Sequence, residues 1–217
     1  MLRVARREPS AILLAVQLAG VLIYPFVENG HVGRALFSLL GVVILALVVL
    51  AVHRTPALTW VSILLGLPAT VLLLIQAVTG SDTLLPWSSA FEAVLYFYAA
   101  GAMIAYMLRD HVITRDELFA VGATFTLVAW AFAYTYVVCQ AVEPGSFTAA
   151  IDPSGDRSWT ELLFMSFTTL TSVGLSDVSP VKSFARGLVM LEEVGGLAYV
   201  AMLVSRLVGL TIFGQRA

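Results

Sequence analysis

Residues 158–177, "SWTELLFMSFTTLTSVGLSD", decide how this chain folds. Ser158 and Glu161 stand in the spacing of a capping box, in which the serine accepts an amide of the first turn and the glutamate reaches back. A helix over 158–170 follows, too short to cross a hydrocarbon core of about 30 Å. It runs straight into Thr171, Ser172, Val173, Gly174, Leu175, Ser176 and Asp177. Non-helical backbone is tolerated at membrane depth only where it is buried in protein or lines water. The stretch therefore predicts a short helix that enters the membrane and returns as a re-entrant loop facing an aqueous path.

The flanking sequence supplies the membrane. Of 217 residues, 59% are hydrophobic and 12% charged, and the mean hydropathy is +0.93, far from soluble domains. Apolar stretches at 10–27, 35–53, 57–79, 88–108, 117–142 and 183–212 are each long enough to span as helix. The loops between them are brief, which leaves no room for a cytosolic regulatory domain. Eight basic residues, Arg3, Arg6, Arg7, Arg54, Arg109, Arg115, Arg206 and Arg216, fall on one side, against Arg34, Lys182, Arg157 and Arg186 on the other. By the positive-inside rule both termini are cytoplasmic, in a multi-pass protein of the plasma (inner) membrane. The opening "MLRVARREPS" reads as an uncleaved first helix with Ser10 as its N-cap, because no small-residue cleavage motif follows.

Residues 1–108 form a plain peripheral four-helix unit. Pro68 is placed to kink the stretch 57–79. The stretch 88–108 ends on Arg109 and carries no ladder of basic residues, so a conventional voltage sensor is not expected. Glu92 lies near its outer end, where it is solvated or paired with Arg34 in a structural role; a functional site at membrane depth is the alternative. A cytoplasmic linker, 109–117, separates this unit from 118–217. Cys139 reads as a buried apolar residue, and a single cysteine cannot form an internal disulfide. Cys/His clusters, HExxH and phosphate loops do not occur, so neither a resident metal nor a cofactor is expected, and nucleic acid is not a partner.

The residues "FTTLTSVGLSDVSP" and "LEEVGGLAYVAMLVSRLVGL" resemble the pore loop and inner helix of bacterial potassium-type ion channels, in particular small six-helix members. The resemblance covers roughly 117–212. It implies an all-α membrane protein with six transmembrane helices, a turret at 143–157, a pore helix at 158–170, a filter at 171–177 and an inner helix at 183–212. It also implies a homotetramer in the lipid bilayer, since one chain supplies one pore loop. Ser172, Val173, Gly174, Leu175 and Ser176 then take the five filter positions, supported by Phe164, Met165 and Thr168 on the pore helix. Inward carbonyls from several subunits would replace the hydration shell of a permeant monovalent cation, potassium and in part sodium. Asp177, Asp152, Asp156 and Glu143 would make the outer mouth acidic.

Two filter positions depart from the family. Ser176 stands where a glycine is usual, so either it is strained or its carbonyl points elsewhere. Leu175 stands where a tyrosine usually bonds an aromatic on the pore helix, and Phe164 and Met165 stand at positions that often carry Trp. Apolar packing between the two sides would replace the bond. The implied pore keeps its inner sites and loses selectivity at the outer ones; a channel fold that does not conduct, or conducts only under a lipid, partner, tension or proton stimulus, is the alternative.

On the inner helix, Gly195 and Gly196 read equally as a hinge or as a close-packing surface. Leu197, Val200, Val204 and Val208 share a stripe that would line the cavity and lower gate. Glu192 and Glu193 are about 100° apart around the helix, the first familiar in the family behind the pore loop. As an adjacent buried pair they would be proton-sensitive. Gly174-Leu175-Ser176 is a weak serine-protease signal: His53 and His111 fall on the opposite side of the membrane from Ser176, and His31 sits in a loop, so no enzyme is expected.

Overall fold

The computed structural model describes residues 8–27, 43–44, 46–48, 50, 59–79, 82–109 and 114–214. Most of the predicted span 35–53, the residues Arg34, His31, His53 and His111, and much of the linker lie outside the described residues. The helices are α1 (Pro9–Val27), α2 (Thr59–Thr79), α3 (Leu85–Met107), α4 (Arg115–Val142), α5 (Trp159–Leu170) and α6 (Ser183–Gly214). Two short strands, β1 (Phe147–Ala149) and β2 (Val178–Pro180), complete the order β1 before α5 and β2 before α6. Among the described residues, α2, α3, α4 and α6 are each long and apolar enough to cross a membrane. The chain is thus a mostly helical membrane protein.

The described residues divide into two compact units, the first holding α1 to α3 and α4 as far as Val138, the second running from Cys139 onward. In the first unit, α2 and α3 form a hairpin through a 3₁₀ turn at Asp82–Leu84, closed by Gln76 Nε2 donating to Ser88 Oγ at 2.8 Å. Helix α2 is continuous through Pro68, and Thr70 Oγ1 donates back to the Gly66 carbonyl at 2.8 Å within the same turns. Helix α3 starts three residues earlier than its apolar pattern suggests because Pro86 suits a first turn, where no amide partner is needed. Helix α3 packs on α4 through aromatic contacts: Phe97 meets Phe132 edge to face at 5.0 Å, and Tyr96 meets Trp130 at 6.1 Å.

Three further sequence expectations are corrected in this unit. Ser10 is not the N-cap of α1. Helix α1 opens on Pro9, and the buried Ser10 gives both its amide and its hydroxyl to the carboxylate of Asp116, each at 3.0 Å. Nor is Glu92 solvated: it is 1% exposed and is hydrogen-bonded by the Tyr134 hydroxyl. The aromatic α3–α4 seam closes over a position that hydropathy alone places near the headgroups. Helix α4 begins at Arg115, earlier than expected, because Thr114 Oγ1 accepts the Glu117 amide at 3.2 Å and caps it.

In the second unit the segment expected as the turret, 143–157, contains β1, which pairs antiparallel with β2 in the register Phe147↔Pro180, Thr148↔Ser179 and Ala149↔Val178. Three residues per strand are too few to leave a clear alternation in sequence. Cys139 is buried and free, as expected.

Candidate functional site

Helix α5 is built from its cap outward. Glu161 N–H donates to Ser158 Oγ at 3.3 Å and Ser158 N–H to Glu161 Oε2 at 2.7 Å, so the predicted capping box is present in full. The residue before it, Arg157, is 5% exposed. Its guanidinium donates to the carbonyls of Asp152 (2.5 Å), Gly155 (2.6 Å) and Ile151 (3.3 Å) and pairs with Glu161 at 3.3 Å. Gln140 grips the same residue from α4, accepting the Arg157 amide at 3.1 Å and donating to its carbonyl at 2.9 Å. Sequence reading treated Arg157 as a surface charge and missed this strut. The Arg157/Glu161 spacing of four was the available signal.

The far end of α5 turns directly into the loop 171–177. Ser172 N–H donates to the Thr169 carbonyl at 2.8 Å and Val173 N–H to the Thr168 carbonyl at 2.9 Å. With Thr171 as C-cap, this is the paired bonding of a Schellman motif. The motif needs a left-handed residue just past the cap, and Ser172 supplies it at φ 58° although glycine is usual there. Gly174 is left-handed as well, at φ 65°, and its amide also reaches the Thr168 carbonyl at 3.0 Å.

Ser176 is not among the residues with positive φ. It therefore does not carry the left-handed strain expected of a side chain at a glycine position. Its Oγ accepts the Val178 amide at 3.0 Å, fixing the exit of the loop as the chain enters β2. The Val181 amide then donates to the Ser146 carbonyl at 2.8 Å, and Lys182 pairs with Glu143 at 3.6 Å. The loop is thus strung between two anchors, the helix end on one side and the β1–β2 ladder on the other.

Within the single chain, Val173 and Leu175 are 66% and 73% exposed, and Thr171, Ser172, Gly174 and Asp177 are exposed too. Met165 and Thr168 are buried, whereas Phe164 is exposed. Leu175 and Phe164 therefore do not bury each other inside one chain.

Behind the loop, α6 packs on α5. An added Cβ at Gly196 would collide with the Leu170 carbonyl, whereas Gly195 faces open space. Helix α6 is unbroken through both glycines, and Gly196 has a packing role against the end of α5. Four residues earlier, Glu192 is fully buried and accepts a hydrogen bond from Ser166 Oγ on α5. Glu193 is exposed. The two glutamates are thus not a buried pair within one chain: helical rotation sends one against α5 and the other away from it. Leu197, Val200, Val204 and Val208 are all exposed in the single chain and share the predicted stripe.

A family model described as ion channel matches residues 93–212, more than half of the chain. No curated protein and no solved structure matches it. The match takes in α3 from its third turn, α4, the capped helix α5, the loop and nearly all of α6, and the chain belongs to the potassium-channel-like family of ion channels.

Proposed function

We propose that the protein is a homotetrameric cation channel whose re-entrant loop, Thr171–Asp177, is a filter with an ordinary inner half and a rebuilt outer half. Four copies would bring exposed Val173, Leu175 and the valine stripe of α6 against neighbouring chains or the pore. The subunit would span the plasma membrane six times with both termini in the cytoplasm, as the distribution of Arg and Lys suggests.

The observation that carries this reading is the backbone of the loop. Carbonyls of an extended strand point alternately to opposite sides, and left-handed residues at alternate positions turn them to one side. Ser172 and Gly174 are left-handed, and the alternation stops before Ser176. A row of carbonyls on one side is what a cation needs in place of its hydration shell. The outer positions lack that arrangement, so potassium permeates with reduced preference over sodium. The same break at Ser176 supports the second reading, a channel fold closed until a lipid, partner, tension or proton acts on it.

Reversal potentials of purified protein in planar bilayers under opposed potassium and sodium gradients test the first reading. A potential between zero and the potassium Nernst value is expected, and one at the Nernst value overturns the claim of weakened selectivity. Liposome flux of the wild type against the Leu175→Tyr, Ser176→Gly double variant separates the two readings. Flux in both favours an altered conductor, and flux only in the double variant favours the closed fold.

A further inference from the structure

We propose that the face of α3 bearing Ser89, Glu92 and Tyr96 holds a buried site for a monovalent alkali cation, apart from the loop 171–177. The residues are spaced i, i+3 and i+7, which puts them on one side of a helix. All three are at most 1% exposed. Among the described residues, Ser89 Oγ, Glu92 Oε1 and the Tyr96 hydroxyl have no hydrogen-bond partner. Tyr134 on α4 bonds the Glu92 carboxylate and marks the wall facing that side of α3, and its ring lies 5.7 Å from that of Tyr96.

Buried polar atoms are nearly always satisfied, by protein, water or an ion. Three unsatisfied oxygens on one face, one of them on a carboxylate, call for a guest that accepts electron pairs. Neither α2 nor α3 contains Lys, Arg or His, and no described basic residue pairs with Glu92. An unneutralised carboxylate at this depth is costly; a bound cation removes that cost, and a proton on the carboxyl is the competing neutraliser that the titration below separates from it.

The donor set is oxygen only, which suits hard cations and not the softer transition metals. One carboxylate with two hydroxyls is too little charge and too few ligands for calcium, which takes six to eight oxygens, commonly with several carboxylates. A sodium or potassium ion completed by water fits. The site lies in the first unit and does not depend on the conduction reading.

Trp130 is a built-in reporter, because its ring meets Tyr96 edge to face at 6.1 Å. The full-length protein in lipid nanodiscs is titrated with sodium chloride or potassium chloride against choline chloride at fixed ionic strength and pH, and tryptophan emission is followed. A saturable change with one or both alkali ions is expected, absent with choline and absent in Trp130→Phe. The midpoint is expected to move at least tenfold in Glu92→Gln and severalfold in Ser89→Ala and Tyr96→Phe. A wild type that does not respond, or a response kept unchanged in Glu92→Gln, overturns the site. Should Glu92→Gln not fold, unchanged midpoints in both Ser89→Ala and Tyr96→Phe overturn it instead. A signal that follows pH but not alkali concentration also overturns it, assigning the cluster to a proton.

Discussion

Ser176 Oγ accepts the amide of Val178 at 3.0 Å, so the residue that replaces the usual filter glycine also ties the loop to strand β2. A glycine could not make that bond. The substitution therefore exchanges backbone freedom for a side-chain anchor, at the point where the alternation of left-handed residues ends.

Removing the anchor should loosen the loop exit without unfolding the chain. Ser176→Ala leaves the Val178 amide without this acceptor, a loss of about 1 kcal/mol, or about fivefold in local opening. Hydrogen–deuterium exchange of a peptide covering 176–181 should speed up by that factor, while peptides from α3 stay unchanged. Equal exchange in the two proteins would mean that the bond does not hold the exit.

At Ser172 the left-handed backbone is what matters. Ser172→Gly relieves a left-handed side chain and should raise stability by about 1 kcal/mol; Ser172→Val, with a branched Cβ at φ 58°, should lower it by about 1–3 kcal/mol. Thermal unfolding in one detergent, read by circular dichroism, gives the order Gly above Ser above Val. Any other order contradicts the Schellman geometry at the helix end.

The two glycines of α6 should respond in opposite ways. Gly196→Ala drives a methyl group into the Leu170 carbonyl and should cost about 1–3 kcal/mol. Gly195→Ala meets open space and should stabilise the helix by about 1 kcal/mol. A hinge at this pair predicts instead that both substitutions change the open probability to a similar degree. Parallel measurement of unfolding and single-channel open probability decides between packing and bending.

Arg157 should not tolerate lysine. Its fork reaches three carbonyls and one carboxylate, a pattern that a single ammonium cannot reproduce. Arg157→Lys should lose about 2 kcal/mol of local stability, seen as faster proteolysis within 151–156. Resistance equal to that of the wild type would make the strut dispensable.

Some of this organisation was legible residue by residue. The capping box lies within four residues, so Ser158 and Glu161 announced α5 without help from the rest of the chain. The absence of basic residues along α3 was equally plain. At Arg157 the pairing with Glu161 lay within reach of the sequence, but the grip of Gln140 on its backbone was hidden because Gln140 lies 17 positions away. Glu92 was misplaced because hydropathy measures distance along a helix, whereas burial depends on which side meets α4.

By itself, then, the sequence determined the membrane class, the positions of the described helices and the start of the loop at Thr171, all set by short-range bonding and by transfer of apolar segments out of water. Tertiary structure decided which of two adjacent glutamates is buried, which of two adjacent glycines touches the end of α5, and where the β1–β2 ladder anchors the loop. Those choices depend on contacts between segments far apart in the chain, and neighbouring residues on a helix differ only in the direction they face.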